Sequence, residues 1–444
     1  MKRVLLLAYM FPPIIDGGGF RPFAFARYLP EFGYQPIVLT RPDTANLPVD
    51  RAQLDKLPSS VHIERLPFGF AEGWSRHVRR RFAWLGPAET ALRKPPGWIA
   101  DGLAWRIARR DVHRQWEVSW MEPAIARGLQ LIDRFRPTAI LATAPPFETL
   151  KAGYALHMKT GIPLVADFRD PWTYGVLWNP SSARRARVEQ DWEGRIVRTA
   201  QQVLVVTPSM RRMMVEKYPD SAGKVVLIMN GFEDMPPTDA TPPRDRFIVS
   251  MVGTFMERRF PAVLFEAFRQ FRASHPAAAA QVRLQLIGPH QSNASPVDRI
   301  AAEGLSDIID YLGPVGHDRC RELMRESHVL LHLEPTVWYA VSSKVFEYLA
   351  AERPIIGMVP EGSDDEWFLK ESGAGDNVGL DDPGRIADAI HRYWTAWRSG
   401  GLSVRVDDAW LSQFHRRQQT SKLAAVLNAT AQSSVQSSAA SARA

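Results

Sequence analysis

The sequence predicts an α/β chain of two doubly wound, parallel-sheet domains, and three observations carry that expectation. The length of 444 residues exceeds what one compact core accommodates, and it suits two domains of roughly 200 residues each. Short apolar runs recur between helical stretches, and they are continuous rather than alternating, as strands covered on both faces require. The pattern halts at a proline-rich segment and then restarts.

Taken in order, the first domain carries runs at 4–8, 36–40, 139–143, 164–167 and 203–206. The second carries 247–252, 284–287, 308–312, 329–333 and 354–358. Between them Pro236, Pro237, Pro242 and Pro243 sustain neither a helix nor a ladder, so the linker is placed at 234–245. An N-terminal domain 1–235 and a C-terminal domain 246–405 follow. A helical stretch within 406–430 is expected to cross back onto the first domain. The Ala/Ser-rich residues 431–444 have little to bury and are expected to be disordered.

Hydrophobic residues at 45% and charged residues at 23% fit an ordinary globular chain and exclude a fibrous or disordered class. No apolar run approaches the roughly 20 residues that span a bilayer, and the run after Met1-Lys2-Arg3 is too brief for a secretory signal. Cys320 is the only cysteine, which rules out an internal disulfide and a thiolate metal cluster and points to a reducing cytoplasm.

The net charge of +7 calls for an anionic partner. Much of the excess lies in an insertion at 73–120, where Arg76, Arg79, Arg80, Arg81, Arg106, Arg109, Arg110 and Arg114 alternate with Trp74, Phe82, Trp84, Trp98, Trp105 and Trp116. That mixture suits an anionic membrane surface, with the protein peripheral at the inner face. Tryptophans packed on the domain beneath snorkelling arginines would give the same pattern. No recognition motif accompanies the charge, so nucleic acid is not expected as a partner.

Ligands of open α/β sheets bind beyond the carboxyl ends of the strands, so the loops there are where chemistry is expected. After the first strand, Tyr9-Met10-Phe11-Pro12-Pro13 leads to Gly17, Gly18 and Gly19 before a helix. Glycines there let backbone amides approach an anion, or simply let the chain turn. Asp167 and Asp170, flanking Phe168 and Arg169, end a later strand; they suit a general base or hydroxyl positioner, with a loop-tying ion pair as the structural alternative.

In the second domain, Gly253 precedes the adjacent Arg258 and Arg259, which could neutralise a diphosphate. Ser342 and Ser343 supply a helix N-cap, and Lys344 falls in the first turn, where it opposes the helix dipole. A bound phosphate would offset that cost. Ser343 and Glu347 share a helix face, so Glu347 could meet a ribose while the helix start holds phosphate. Gly373, Gly375 and Gly379 do not keep dinucleotide-binding spacing, and His328 and His332 find no third ligand nearby, so no metal is expected.

These motifs together resemble family 4 of the GT-B glycosyltransferases, in its bacterial polysaccharide and cell-envelope branch. The resemblance spans nearly the whole chain. It rests on Phe11-Pro12-Pro13 with Gly17, Gly18 and Gly19; on Ala144-Pro145-Pro146; on Asp167-Phe168-Arg169-Asp170-Pro171-Trp172; on Asn230-Gly231; on Gly253 with Arg258 and Arg259; and on Lys344 with Glu347-Tyr348-Leu349.

The resemblance implies two Rossmann-like domains facing across a cleft, with a nucleotide-sugar donor mainly on the second and a glycan or lipid-linked acceptor on the first. It implies that Glu347 binds ribose hydroxyls, that Arg258 or Arg259 with Lys344 meets the diphosphate, and that Asp167 or Asp170 serves the acceptor hydroxyl. No cofactor or metal would be needed, because fixed cations and a helix start stabilise the departing nucleoside diphosphate. The chain departs from the pattern at Tyr339, where many members carry a glutamate that touches the donor sugar. The resemblance implies retention at the anomeric carbon. A sugar-nucleotide epimerase of the same layout, or a catalytically silent partner, are the rival readings.

Overall fold

The structure, a computed structural model, describes residues 1–14, 17–42, 49–66, 112–235, 238–256, 262–291, 295–404 and 406–441. Arg258, Arg259 and most of the 73–120 insertion lie outside the described residues. The chain divides into two compact units: one of residues 1–205, 213–228 and 420–444, the other of 206–212 and 229–419.

Seven strands build the first unit: β1 (Lys2–Ala8), β2 (Tyr34–Thr40), β3 (His62–Arg65), β4 (Ala139–Ala144), β5 (Leu164–Phe168), β6 (Gln202–Val205) and β7 (Val225–Leu227). Their order is β3-β2-β1-β4-β5-β6-β7, and each described pairing is parallel. Central strands are buried throughout, Ala139–Ala144 and Leu164–Phe168 without an exposed residue, as helices on both faces demand. One face packs Val4, Leu6, Phe23, Phe25, Val38 and Leu141 against Leu423, Ala424 and Leu427 of the C-terminal helix Arg416–Ser441.

The second unit holds β8 (Phe247–Val252), the two-residue strand β9 (Phe255–Met256), β10 (Val282–Ile287), the two-residue strand β11 (His290–Gln291), β12 (Ile309–Gly313), β13 (Val329–Leu333), β14 (Ile355–Met358) and β15 (Gly375–Asn377). Six of these form a parallel sheet in the order β12-β10-β8-β13-β14-β15, while β9 and β11 pair separately. Phe247, Phe268, Phe271, Leu284 and Leu331 lie in its core.

The chain changes unit near Met229, ahead of the proline-rich stretch, so 234–235 and 238–245 travel with the second unit rather than linking the two. The cause is local: Gly231 and Phe232 are bound by Phe414, His415 and Arg416, and a methyl group on Gly231 would stand 2.0 Å from the Phe414 carbonyl oxygen. The final helix continues to Ser441, where disorder was expected from composition; its many alanines are good helix formers. No described helix is long and apolar enough to cross a membrane.

Candidate active site

In the first unit three loops meet at the carboxyl ends of β1, β4 and β5. Arg21, one residue into the helix Phe20–Tyr28, donates from Nε and Nη2 to Asp167 Oδ2 and Oδ1 at 3.0 and 2.9 Å. Thr143 Oγ1 donates to the same carboxylate at 2.7 Å. Asp167 is wholly buried, and this bidentate pair with an added hydroxyl satisfies it. Such a carboxylate fastens β5 to β4 and to the first helix. It has little capacity left to take an acceptor proton.

Arg169 ties loops together through backbone carbonyls. It donates to the backbone oxygens of Gly18, Ala144 and Pro145, joining the glycine loop to the Asp167–Trp172 loop. Asp170 presents an exposed side chain, while crowding at the strand end desolvates its carboxyl and raises its pKa above the usual value, with Arg169 pulling the other way. Beside it Phe147 and Trp172 stack with ring centroids 4.6 Å apart, and a buried Lys151 pairs with Glu148 at 3.2 Å.

Gly17, Gly18 and Gly19 form a single 3₁₀ turn before the first helix. None has a positive φ, Gly17 has open space where a Cβ would lie, and Gly19 would meet only ordinary contacts. Neither turning nor packing among the described residues therefore demands glycine at 17 or 19.

In the second unit the helix Ser343–Ala350 starts beyond β13. Ser342 is its N-cap, accepting from the Lys344 amide at 3.3 Å, and the Ser342 amide donates to Asp365 Oδ1 at 3.0 Å. His332 Nε2 lies 3.1 Å from Asp365 Oδ2, both groups buried. Tyr348 is buried deeply enough to push its phenol pKa well up, and its hydroxyl accepts from the Val252 amide at 2.8 Å, fixing the helix against β8.

Lys344 Nζ donates to Glu347 Oε2 at 2.8 Å, so the cation in the first turn already has a partner, and a phosphate is not required to explain it. Glu347 is 7% exposed, whereas the Lys344 side chain remains 32% exposed. Burial would raise the Glu347 pKa, but Lys344, His317 and Arg416 outweigh it and hold the carboxyl below its ordinary value. His317, at the start of the helix His317–Glu326, is pushed below its usual pKa by burial and Arg321, against the pull of Glu347.

The sequence reading missed His317 and Arg416, because neither sits in a recognisable motif and only the fold brings them to Glu347. Tyr339 is buried, and its carbonyl accepts from Thr207 Oγ1 at 2.6 Å. A nearby carboxylate, Glu334, is buried and accepts from the Thr336 amide and hydroxyl. His328 is a core residue whose Nδ1 accepts from the Ile248 amide, with burial lowering its pKa to about 4. Among the described residues no three His, Cys, Asp or Glu side chains are grouped to hold a metal.

Two all-parallel α/β units, each gathering its charged side chains at the carboxyl ends of its strands, define the two-domain class to which this chain belongs. Two family models match it: Glycosyltransferase Family 4 over residues 94–234, and Glycosyl transferases group 1 over 246–395. The chain is a GT-B glycosyltransferase of the family 4-like type, and thus an enzyme.

Solved structures agree in fold. Sucrose-phosphate synthase from Thermosynechococcus elongatus matches with TM-score 0.63 at 16% identity, covering 99% of this chain and 100% of its own. A glycosyltransferase from Rickettsia africae gives 0.63 at 13%, covering 97% and 98%. Anabaena HepE, in complex with UDP and glucose, gives 0.61 at 15%, covering 96% and 100%. No curated protein matches the sequence.

Proposed function

We propose that the chain moves a sugar from a nucleotide-sugar donor to a glycan or lipid-linked acceptor in polysaccharide or glycoconjugate synthesis, with retention and without a metal. The observation that carries this is Glu347: a buried carboxylate, held ionised, whose lysine partner still reaches water. An ionised carboxylate is an acceptor only and can take two ribose hydroxyls, while Lys344 swings to the diphosphate. Anabaena HepE has been solved with UDP and with UDP-glucose, which supports a uridine diphosphate sugar as the first donor to try.

Departure of the nucleoside diphosphate develops negative charge, and Lys344 with the start of its helix stabilises that charge as it forms. Asp170 serves the acceptor hydroxyl better than Asp167, since its carboxylate is not saturated and its raised pKa brings it nearer neutrality. The 73–120 insertion supports a peripheral site at the inner face of a membrane; no flotation with anionic vesicles would remove that element.

The test is a screen of UDP-, GDP-, dTDP- and ADP-sugars, reading thermal shift and slow donor hydrolysis for the wild type and Glu347→Ala. One donor should stabilise and be hydrolysed by the wild type alone. A wild type that ignores every donor would instead fit a silent partner, and interconversion of the free sugar nucleotide would fit an epimerase.

A further inference from the structure

We infer that the carboxyl ends of β1 and β2 hold a phosphoryl group of the acceptor, gripped by Arg41 and Trp120. The inference rests on the glycosyltransferase reading above and specifies its acceptor.

The two strands pair in register, Leu7 beside Leu39, so the residues that follow them, Tyr9 and Arg41, emerge close together. Thr40 Oγ1 confirms the closeness by donating to the Tyr9 carbonyl at 3.2 Å. Arg41 is 5% exposed, and its guanidinium lies over the Tyr9 ring, 5.0 Å from the centroid. Trp120 is also 5% exposed and meets the same ring edge-on at 5.6 Å.

Both side chains carry buried donors without a partner: Nε and Nη2 of Arg41, and Nε1 of Trp120. Among the described residues no carboxylate pairs with Arg41. A second cation, Arg65, donates from Nη1 to the Arg41 backbone carbonyl at 3.5 Å and also donates to the Pro12 carbonyl.

A guanidinium stays ionised at any physiological pH, and an unpaired buried charge is among the costliest features a fold can carry. Three orphan donor atoms, two on a guanidinium and one on an indole, on side chains that meet one aromatic ring at the ligand-binding end of a parallel sheet, are complementary to an anion. A phosphoryl group fits better than a carboxylate. It offers three acceptor oxygens, enough for the guanidinium fork and the indole N–H together. Arg41 lies in the first unit, whereas the donor-side groups Lys344 and Glu347 lie in the second, which assigns the phosphoryl group to the acceptor. The donors are closed to solvent, so the anion reaches them by displacing what covers them.

The test uses the full chain and three probes: inorganic phosphate, glucose 6-phosphate, and phosphatidylcholine vesicles containing phosphatidic acid, each against sodium chloride of equal ionic strength. At least one probe should bind the wild type saturably, and Arg41→Met should weaken it roughly tenfold to a hundredfold. Trp120→Phe, which keeps the ring and removes the N–H, should weaken it less.

Response to the soluble phosphates assigns a soluble phosphorylated acceptor, and response to vesicles alone assigns a lipid phosphate. Without probe, Arg41→Met should unfold no earlier than the wild type, because it removes an unpaired buried charge. Equal probe binding by wild type and both variants, or no response to any probe, overturns the site. Donor-induced thermal shift, read in the same proteins, should persist in both variants; its absence from the wild type as well would count against the glycosyltransferase reading, not against Arg41.

Discussion

Asp167, near the end of β5, and Glu347, in the helix that follows β13, are both buried carboxylates that meet a cation, yet their surroundings differ. Asp167 takes two bonds from Arg21 and one from Thr143, all within the interior. Glu347 takes one bond from a lysine that keeps access to water. A saturated buried pair is a fastening, since removing either side strands the other; a pair with one mobile, hydrated member can exchange that member for a ligand.

The sharpest way to break the comparison is Asp167→Ala. It leaves Arg21 buried without its partner and should cost about 3–5 kcal/mol in urea unfolding. A cost similar to that of Glu347→Ala would erase the distinction. Next comes Gly231→Ala, where the added methyl meets the Phe414 carbonyl oxygen at 2.0 Å and should cost about 1–3 kcal/mol by displacing backbone. Glu347→Ala should cost about 1 kcal/mol, because Lys344 can rehydrate when its partner goes.

Acid titration sharpens the same contrast. The Glu347 pKa is depressed from 4.5, so its stabilisation is complete above that value and is lost as pH falls through the folded pKa. Asp170 has the opposite sign: its raised pKa makes ionisation a cost above the folded value. Glu347→Gln should therefore flatten the acid side of the stability curve, and Asp170→Asn should leave stability unchanged or slightly higher while slowing turnover. Smallest of all, Gly17→Ala should alter stability by no more than about 0.5 kcal/mol, since nothing lies where its Cβ would go, yet raise the KM for donor.

Much of the fold was legible because buried parallel strands write themselves as unbroken apolar runs. β8 and β13 lie where their runs do, and β1, β2, β4 and β5 extend theirs by a residue or two. β3, β7 and β15 left no such trace: they are short edge strands, and His62–Arg65 is only half-buried along its length. The crossing of 206–212 into the second unit was not legible either. It depends on Ser209 bonding Asp364, 155 positions later, and no local pattern reports such a pair.

The candidate site divides in the same way. Lys344 stands out in the sequence because a cation in the first turn opposes the helix dipole, and Glu347 because it lies on the same helix close behind. Their neighbours His317 and Arg416, and the saturation of Asp167 by Arg21, are products of long-range packing. Arg41 drew no notice in the sequence because one arginine after a strand is ordinary; what sets it apart is burial without a partner, a property only the fold confers.

The most direct test of the account is calorimetric titration of UDP into the wild type, Glu347→Ala and Asp170→Asn, each first shown to be folded by its thermal transition. Saturable binding is expected for the wild type and for Asp170→Asn, with Glu347→Ala folded but weakened at least about tenfold. Equal binding by Glu347→Ala and the wild type would contradict it.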